Sequence, residues 1–211
     1  HRGNDSGLEL QTGSPRPSGT GRMRGSGHAA QLRAMNLMTT THDAIIIGTG
    51  QAGPSLARRL ATAGRRVAII ERHLVGGTCV NTGCTPTKTL VASAYAAHLA
   101  RRASEYGVVL DQPPRIDMRT AKARADSVVA NSRNGVERGL RALERCTVFT
   151  GQACFESPTT VRVGENVLTA PRIFINVGGR ARTPDFPGIK SVPFLTNTTI
   201  LQLDAVPRHL I

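Results

Sequence analysis

The protein has 211 residues, which is enough for one large domain or two small ones with a sizeable core. Its formal net charge of +13 is carried mostly by arginines that stand in scattered pairs, without a run of like charges or interleaved aromatic residues, so the pattern argues against a nucleic-acid partner. No stretch of about 18 apolar residues occurs, which argues against a membrane-spanning helix and a membrane partner.

The first part of the chain, residues 1–42, is rich in Gly, Ser, Arg and Pro and has no apolar period. Such a composition cannot bury enough apolar area to offset chain entropy, so it predicts a disordered leader. No apolar run typical of a secretory signal follows the basic start, and we therefore expect a cytoplasmic protein. The ordered domain is predicted over 43–211.

The domain opens with "HDAIIIGTGQAGPSLARRLATAGRRVAIIER". This stretch predicts a buried strand at Ala44–Ile47, a glycine-rich turn, a helix over Ser55–Ala63 and a second strand at Val67–Ile70 that Glu71 closes. Two short apolar runs joined through a helix are typical of a parallel sheet. We therefore expect an α/β fold that begins as a Rossmann-like unit.

Two longer helices are predicted next, over Lys88–Ser104 and Ile116–Leu143, separated by the proline-containing loop Asp111–Pro114. From Thr147 onward the pattern changes to short strands: "TVFTGQACF", "TTVRV", "NVLTA" and "RIFINVGG". We expect these strands to form an antiparallel meander attached to the parallel sheet.

The turn after the first strand has the pattern GxGxxG, formed by Gly48, Gly50 and Gly53. A strand before it, a helix after it and Glu71 at the end of the next strand are the context in which this pattern binds a dinucleotide. The helix N-terminus offers free N–H groups to the phosphates. A carboxylate at Glu71 accepts from ribose hydroxyls and repels a 2′-phosphate, which favours FAD or NAD over NADP.

The stretch "GGTCVNTGCTPTK" holds Cys79 and Cys84, for which three uses are open: a metal site, a structural disulfide or a redox pair. Zinc sites usually need a second close pair, which Cys146 and Cys154 do not supply, so we expect no metal ligands here. A structural disulfide is disfavoured in a reducing cytosol. A redox pair fits best, since Cys84 lies at a predicted helix start that would stabilise its thiolate, and Gly83 permits a backbone that a Cβ would obstruct. An NAD-dependent dehydrogenase would leave both cysteines unexplained.

Together, "GGTCVNTGCTPTK" and the preceding GxGxxG unit resemble the class I pyridine nucleotide–disulfide oxidoreductases, a family that includes dihydrolipoamide dehydrogenase, glutathione reductase and mercuric reductase. "RIFINVGGRARTPDFPG" resembles the second FAD-contacting segment of that family, and "FLTNTTILQLDAVPRHLI" the run that leads into its NAD(P) domain. The resemblance covers Asp43 to Ile211 and implies FAD as the cofactor. "VNTGCTPTKT" favours mercuric-reductase-like members.

The resemblance also implies a role for individual residues. Cys79 would be the thiol that exchanges with substrate, and Cys84 the thiol that lies against the flavin; we expect Cys84 to be the stabilised thiolate and Cys79 the more exposed of the two. Further expected FAD contacts, in addition to the GxGxxG turn and Glu71, are Gly77, Thr78, Lys88, Ala153 and Gly178.

The implied reaction passes electrons from NAD(P)H to FAD, then to a Cys79–Cys84 disulfide, and then to a disulfide or mercuric-ion substrate. In the family the NAD(P) domain and the interface domain follow the point at which Ile211 stands. We therefore expect an N-terminal FAD-domain fragment, inactive alone, of a protein that is a homodimer in full-length form. The alternative is an FAD-binding module without turnover.

Overall fold

The computed structural model describes residues 39–211, and the preceding part of the expected leader lies outside them. Within these residues the strands are β1 (Thr39–Thr41), β2 (Ala44–Ile47), β3 (Val67–Glu71), β4 (Cys146–Thr150), β5 (Ala153–Ser157), β6 (Thr160–Val163), β7 (Asn166–Thr169) and β8 (Ile173–Ile175). The α-helices of the same range are α1 (Ala52–Thr62), α2 (Gly77–Thr82), α3 (Cys84–Arg101) and α4 (Met118–Arg141). Short 3₁₀ turns occur at Ala103–Tyr106, Ile189–Ser191 and Ile200–Gln202.

A four-stranded parallel sheet in the order β4-β3-β2-β8 is the frame of the domain. Ile45, Ile46, Ile69 and Ile70 are buried at its centre because both faces of the sheet are covered. One face packs against β6 and β7 through a cluster that includes Leu168. The other face packs against helices through a second apolar cluster.

The mixed α/β architecture agrees with the sequence prediction, but the predicted meander was too long. Among the strands of residues 39–211, only β5, β6 and β7 are antiparallel neighbours, whereas β4 pairs in parallel with β3 and β8 pairs in parallel with β2. The connections explain this difference. Helix α4 precedes β4, and strands β5 to β7 precede β8, so in both cases the chain returns to the opposite edge of the sheet before the next parallel strand begins. A short apolar run does not by itself reveal which sheet its strand joins.

One strand lies inside the leader that was predicted to end at residue 42. Thr39–Thr41 forms β1, which pairs in parallel with β7, and the N–H of His42 donates to Thr169 O at 2.8 Å. Three β-branched threonines suit an edge strand, although they give no apolar period that would have revealed it. His42 is buried against the edge of the Phe149 ring.

The helix boundaries differ from the predicted ones for local reasons. α3 begins at Cys84, four residues earlier than expected, because Pro86 needs no N–H partner in a first turn. α4 begins after Asp117, whose side chain accepts from the backbone N–H of Thr120 at 3.1 Å. The six-residue α2 was not predicted, since none of its residues is buried and it shows no apolar period.

Candidate functional site

The glycine-rich turn at the carboxyl end of β2 is shaped by two close approaches. Gly48 has φ +106°, and a Cβ there would lie 2.2 Å from Asn176 O. A Cβ at Gly53 would lie 2.3 Å from Gly48 O, so this glycine lets α1 pack onto the turn. At Gly50 an added Cβ would meet nothing closer than 3.5 Å. The contacts within the described part of the chain therefore do not themselves require a glycine at position 50.

The start of α1 suits a phosphate group. Gln51, the N-cap residue, makes no side-chain capping hydrogen bond, and the first turn of α1 contains no acidic residue. The first N–H groups of a helix have no partner within the helix and carry a partial positive charge. This helix terminus, with a glycine at position 50 that lets a ligand approach the backbone, fits the pyrophosphate of a dinucleotide.

Glu71 closes β3 with its carboxylate held beside the turn. Its Oε2 accepts from the backbone N–H of Thr49 at 3.1 Å and from Thr49 Oγ1 at 2.5 Å, and its Oε1 accepts from the N–H of His73 at 3.0 Å. Burial alone would raise the pKa of Glu71, but these hydrogen bonds outweigh it and lower the pKa below its usual range. The carboxylate is therefore ionised near neutral pH.

Thr49 is a site residue that sequence reasoning missed. It is fully buried, and its Oγ1 also accepts from the N–H of Gly76 at 3.2 Å. One hydroxyl thus joins the turn, the end of β3 and the loop before α2. Thr49 occupies a variable position of GxGxxG, so the motif gave no sign of this role.

The cysteine segment packs directly onto the dinucleotide turn. Gly77 has φ +61°, and a Cβ there would lie 2.7 Å from Gly50 Cα. Between α2 and α3, a Cβ at Gly83 would lie 2.9 Å from Thr78 O, so the glycine allows the sharp turn that brings Cys79 and Cys84 together. The structure therefore places the two cysteines and the GxGxxG turn in one site.

The side chain of Asn81 holds the cysteine segment in place through hydrogen bonds. The sequence did not predict this role either. Asn81 Nδ2 donates to Val75 O and Gly77 O, both at 3.0 Å, and its Oδ1 accepts from Arg133 Nη1 of α4 at 3.2 Å. Val75 itself is buried in the apolar cluster on the helical face of the sheet. An asparagine between two cysteines belongs to no sequence pattern that would indicate these hydrogen bonds.

The two thiols are both free and differ in environment. Cys79 lies in α2, half-buried, and its Sγ accepts from Gln51 Nε2 at 3.0 Å. A hydrogen bond from the Cys84 thiol lowers the pKa of Cys79, and Gln51 and the charge of Lys88 lower it further. The same hydrogen bond and the nearby Cys79 charge raise the pKa of Cys84.

This arrangement corrects the expected order of exposure, whereas the expected Cys84 thiolate beside a bound flavin stays a prediction. Cys84 is exposed and Cys79 is half-buried, the reverse of the predicted order, because Cys79 lies inside α2 in contact with Gln51 whereas Cys84 begins a new helix. The predicted thiolate at Cys84 rested on the N-terminus of α3 alone. In the two-thiol state the hydrogen bonds converge on Cys79 instead, and they favour the thiolate there.

The remaining predicted contacts lie around the same edge of the sheet. Lys88 is exposed in the first turns of α3, and Thr78 is exposed in α2. Ala153 begins β5, just beyond a turn in which the N–H of Gly151 donates to Glu71 O at 2.9 Å. Gly178, exposed with φ +65°, follows β8.

The segment after β8 contributes one residue that was not predicted. Asn176 donates from Nδ2 to Gly48 O and Gly50 O, both at 3.4 Å, and its own N–H donates to Ile47 O at 2.8 Å. These bonds hold the glycine turn to the end of the neighbouring strand. The sequence drew attention to the glycines of "NVGG" and not to its asparagine.

The family described as pyridine nucleotide-disulphide oxidoreductase matches residues 42–211. The chain is 35% identical over 169 residues to a mercuric reductase of Bacillus cereus, covering 80% of this chain and 27% of that protein. It is 35% identical over 180 residues to a dihydrolipoyl dehydrogenase of Chlamydia trachomatis, covering 82% and 38%. The HOCl-induced flavoprotein disulfide reductase RclA of Escherichia coli superposes with a TM-score of 0.64 at 37% identity, covering 78% of this chain and 35% of that one.

The chain thus spans about a third of the length of these relatives. Within residues 39–211, none of the helices has both the length and the apolar character needed to cross a membrane. The family match extends over the parallel sheet, the glycine turn and both cysteines. On these grounds the chain belongs to the pyridine nucleotide-disulphide oxidoreductase family.

Proposed function

We propose that this chain is the FAD-binding, dithiol-bearing part of a flavoprotein disulfide reductase. The observation that carries the proposal is the contact between Gly77 and Gly50, which sets the cysteine segment against the dinucleotide turn. A cofactor bound over that turn would lie beside Cys79 and Cys84. In a dinucleotide-binding fold without this contact, the two thiols would not lie beside the cofactor and could not exchange electrons with it.

FAD would be held by residues near the carboxyl edge of the parallel sheet. Gly48, Gly50 and Gly53 with the start of α1 would take the pyrophosphate, and the ionised Glu71 would accept from the ribose hydroxyls. The other proposed contacts are Gly77, Thr78, Lys88, Ala153 and Gly178. When bound, FAD would supply the two electrons that open a Cys79–Cys84 disulfide.

The dithiol would then reduce the substrate in two exchange steps. The Cys79 thiolate attacks one sulfur of a substrate disulfide, forms a mixed disulfide and releases the first substrate thiolate, which takes up a proton. The Cys84 thiolate next attacks Cys79 Sγ, releases the second substrate thiolate and leaves the Cys79–Cys84 disulfide. The hydrogen bond from Gln51 to Cys79 supports Cys79 as the thiol that attacks first.

The dithiol and the relatives support a disulfide or a mercuric ion as the substrate. A disulfide reacts by the exchange above, and a mercuric ion, the substrate named by the mercuric reductases, is a soft ion that thiolates bind. NAD(P)H would be bound by a further domain, as the family name implies. A reducing cytoplasm would keep such a pair available for turnover.

We also propose that the full-length protein is a homodimer. On α3, Val91, Tyr95 and Leu99 are 60%, 61% and 37% exposed and recur every fourth residue, so they form one apolar stripe. A second copy is the expected cover for it. Sedimentation of the full-length protein should give a dimer that Tyr95→Glu dissociates, and a wild-type monomer would contradict this proposal.

FAD binding tests the main proposal with a matched pair of glycine variants. Gly50→Ala adds a Cβ that meets only ordinary contacts within the protein but occupies the space proposed for the pyrophosphate. Gly135→Ala, on α4, adds a Cβ that meets nothing within 4 Å. We expect flavin absorbance to co-purify with the wild type and Gly135→Ala, and binding to weaken at least about tenfold in Gly50→Ala. Equal FAD binding by all three, or none by the wild type, would refute the proposed site.

A further inference from the structure

The side chain of Gln51 links the dinucleotide turn to the thiol chemistry. Gln51 occupies a variable position of GxGxxG, between Gly50 and Gly53, and gave no functional signal in the sequence. Its Nε2 lies 3.0 Å from Cys79 Sγ, which is hydrogen-bond distance to sulfur. The two residues are 28 positions apart in the chain, so the contact depends on the packing of α2 onto the turn.

An amide N–H is a donor that suits a thiolate. Thiolate sulfur accepts hydrogen bonds, whereas a thiol is a weak acceptor, so a fixed donor favours loss of the proton. Gln51 is exposed, and this is the side-chain hydrogen bond that it makes among the described residues. A residue with so little burial contributes little to the stability of the fold.

We propose that Gln51 is a positioning residue that holds Cys79 Sγ as the attacking thiolate of the exchange reaction. This inference rests on the proposed function for its role in turnover, but the contact itself can be tested on the thiol alone. Holding the sulfur against α1 fixes its direction, and the donated hydrogen bond stabilises the form that reacts.

Other groups around Cys79 also raise or lower its pKa, so a test of Gln51 must leave them unchanged. Cys84 and Lys88 face it from α3, and on the α4 side Arg133 is bound to Asn81. None of these groups is altered by a change at Gln51. A change in the titration of Cys79 in a Gln51 variant therefore reports on the amide.

Two substitutions separate a hydrogen bond from simple packing. Gln51→Leu removes the donor and keeps most of the volume. Gln51→Glu keeps the shape and replaces the donor by a carboxylate that repels a thiolate. Gln112→Leu, at an exposed loop position, is the matched control.

The measurement is the pH–rate profile of alkylation at Cys79 in the reduced full chain without FAD, read by peptide mass spectrometry, with Cys154 as an internal reference. We expect the Cys79 midpoint to rise in Gln51→Leu and further in Gln51→Glu, with alkylation at pH 7 about two- to threefold slower in Gln51→Leu. Gln112→Leu and the Cys154 profile should match the wild type.

Identical Cys79 profiles in the wild type and both Gln51 variants would overturn the inference, as would a lower midpoint in Gln51→Glu. Far-ultraviolet circular dichroism should show that the variants keep the wild-type fold. FAD binding is measured separately, with the Gly50 and Gly135 variants. A chain that fails to bind FAD but shows the Gln51 effect would thus refute the proposed function and leave the thiol contact intact.

Discussion

The two edges of the parallel sheet have opposite chemistry. At the carboxyl edge, glycines, Thr49 and Glu71 form a closely packed and hydrogen-bonded group. At the amino edge, Arg66, Arg145 and Arg172 immediately precede β3, β4 and β8, and all three are exposed. Salt bridges described for residues 39–211 involve none of these three arginines.

The difference follows from strand direction. Because the strands are parallel, their carboxyl ends meet at one edge together with the N-termini of the helices that follow, where backbone N–H groups can bind a ligand. The amino edge receives helix C-termini, which offer no free backbone N–H groups to a ligand. We therefore expect substitutions at the carboxyl edge to affect stability and binding strongly, and those at the amino edge weakly.

The largest effect is expected for Gly48→Ala. A Cβ there would lie 2.2 Å from Asn176 O, and the residue would also be strained at φ +106°. We expect a loss of roughly 3 kcal/mol or more in the free energy of unfolding, measured in urea. Gly64→Ala is the control, since its φ is +78° but its Cβ would meet nothing within 4 Å; it should lose only about 1 kcal/mol. Equal losses would show that contact with Asn176 adds nothing.

Thr49→Val should come next. It keeps the shape but removes the hydroxyl that donates to Glu71 and accepts from Gly76. We expect the protein to lose about 1.5–3 kcal/mol of stability, the range for hydrogen bonds to a charged group. The pKa of Glu71, followed by NMR, should rise because one of its donors is gone. An unchanged Glu71 titration would show that Thr49 does not hold the carboxylate.

His42, near the amino edge, should make stability depend on pH. Burial, and then the charge of Arg66, lower its pKa below the ordinary 6.5, although Asp43 partly opposes this. The unfolded chain therefore binds a proton before the folded one, so stability present above pH 6.5 is lost as the pH falls through the folded pKa. His42→Gln should reduce the loss between about pH 7.5 and 5.5 in thermal melts. His98→Gln, at an exposed histidine, should keep it, and a loss that persists equally in both variants would exclude His42 as its source.

The smallest effect is expected from the arginines of the amino edge. Arg66 and Arg145 precede the paired residues Val67 and Cys146, so their charges are neighbours. Arg66→Gln with Arg145→Gln should stabilise the protein by roughly 0.2–1 kcal/mol at low salt, and less at high salt. Arg101→Gln combined with Arg119→Gln is the control, because it makes the same change in net charge in helices α3 and α4. Equal gains from both pairs would mean that only net charge matters.

The sequence predicted the features that periodicity and motif spacing can carry. Buried runs such as Ala44–Ile47 and Val67–Glu71 and the turn between them were found because parallel strands are continuously apolar. α4 was found because it is long and amphipathic. The placement of β4 and β8 was not, since pairing partners distant in the chain leave no local pattern.

Site residues divide in the same way. The glycines and cysteines belong to spaced motifs, whereas Thr49, Asn81 and Asn176 act through side-chain hydrogen bonds to backbone atoms of neighbouring segments. Such contacts depend on the packed fold, and any polar residue at these positions would look the same in the sequence. The order of exposure of Cys79 and Cys84 was misjudged for the same reason, because the Gln51 contact is visible only in the folded chain.

The claim that the dinucleotide turn and the cysteine pair form one redox site is tested most directly by a reductive titration of the oxidised, FAD-loaded chain. Without oxygen, the wild type should take up four electrons per FAD, two for the cofactor and two for the Cys79–Cys84 disulfide, and Cys84→Ser should take up two. Uptake of two electrons by the wild type, with the disulfide still intact by mass spectrometry, would contradict the account.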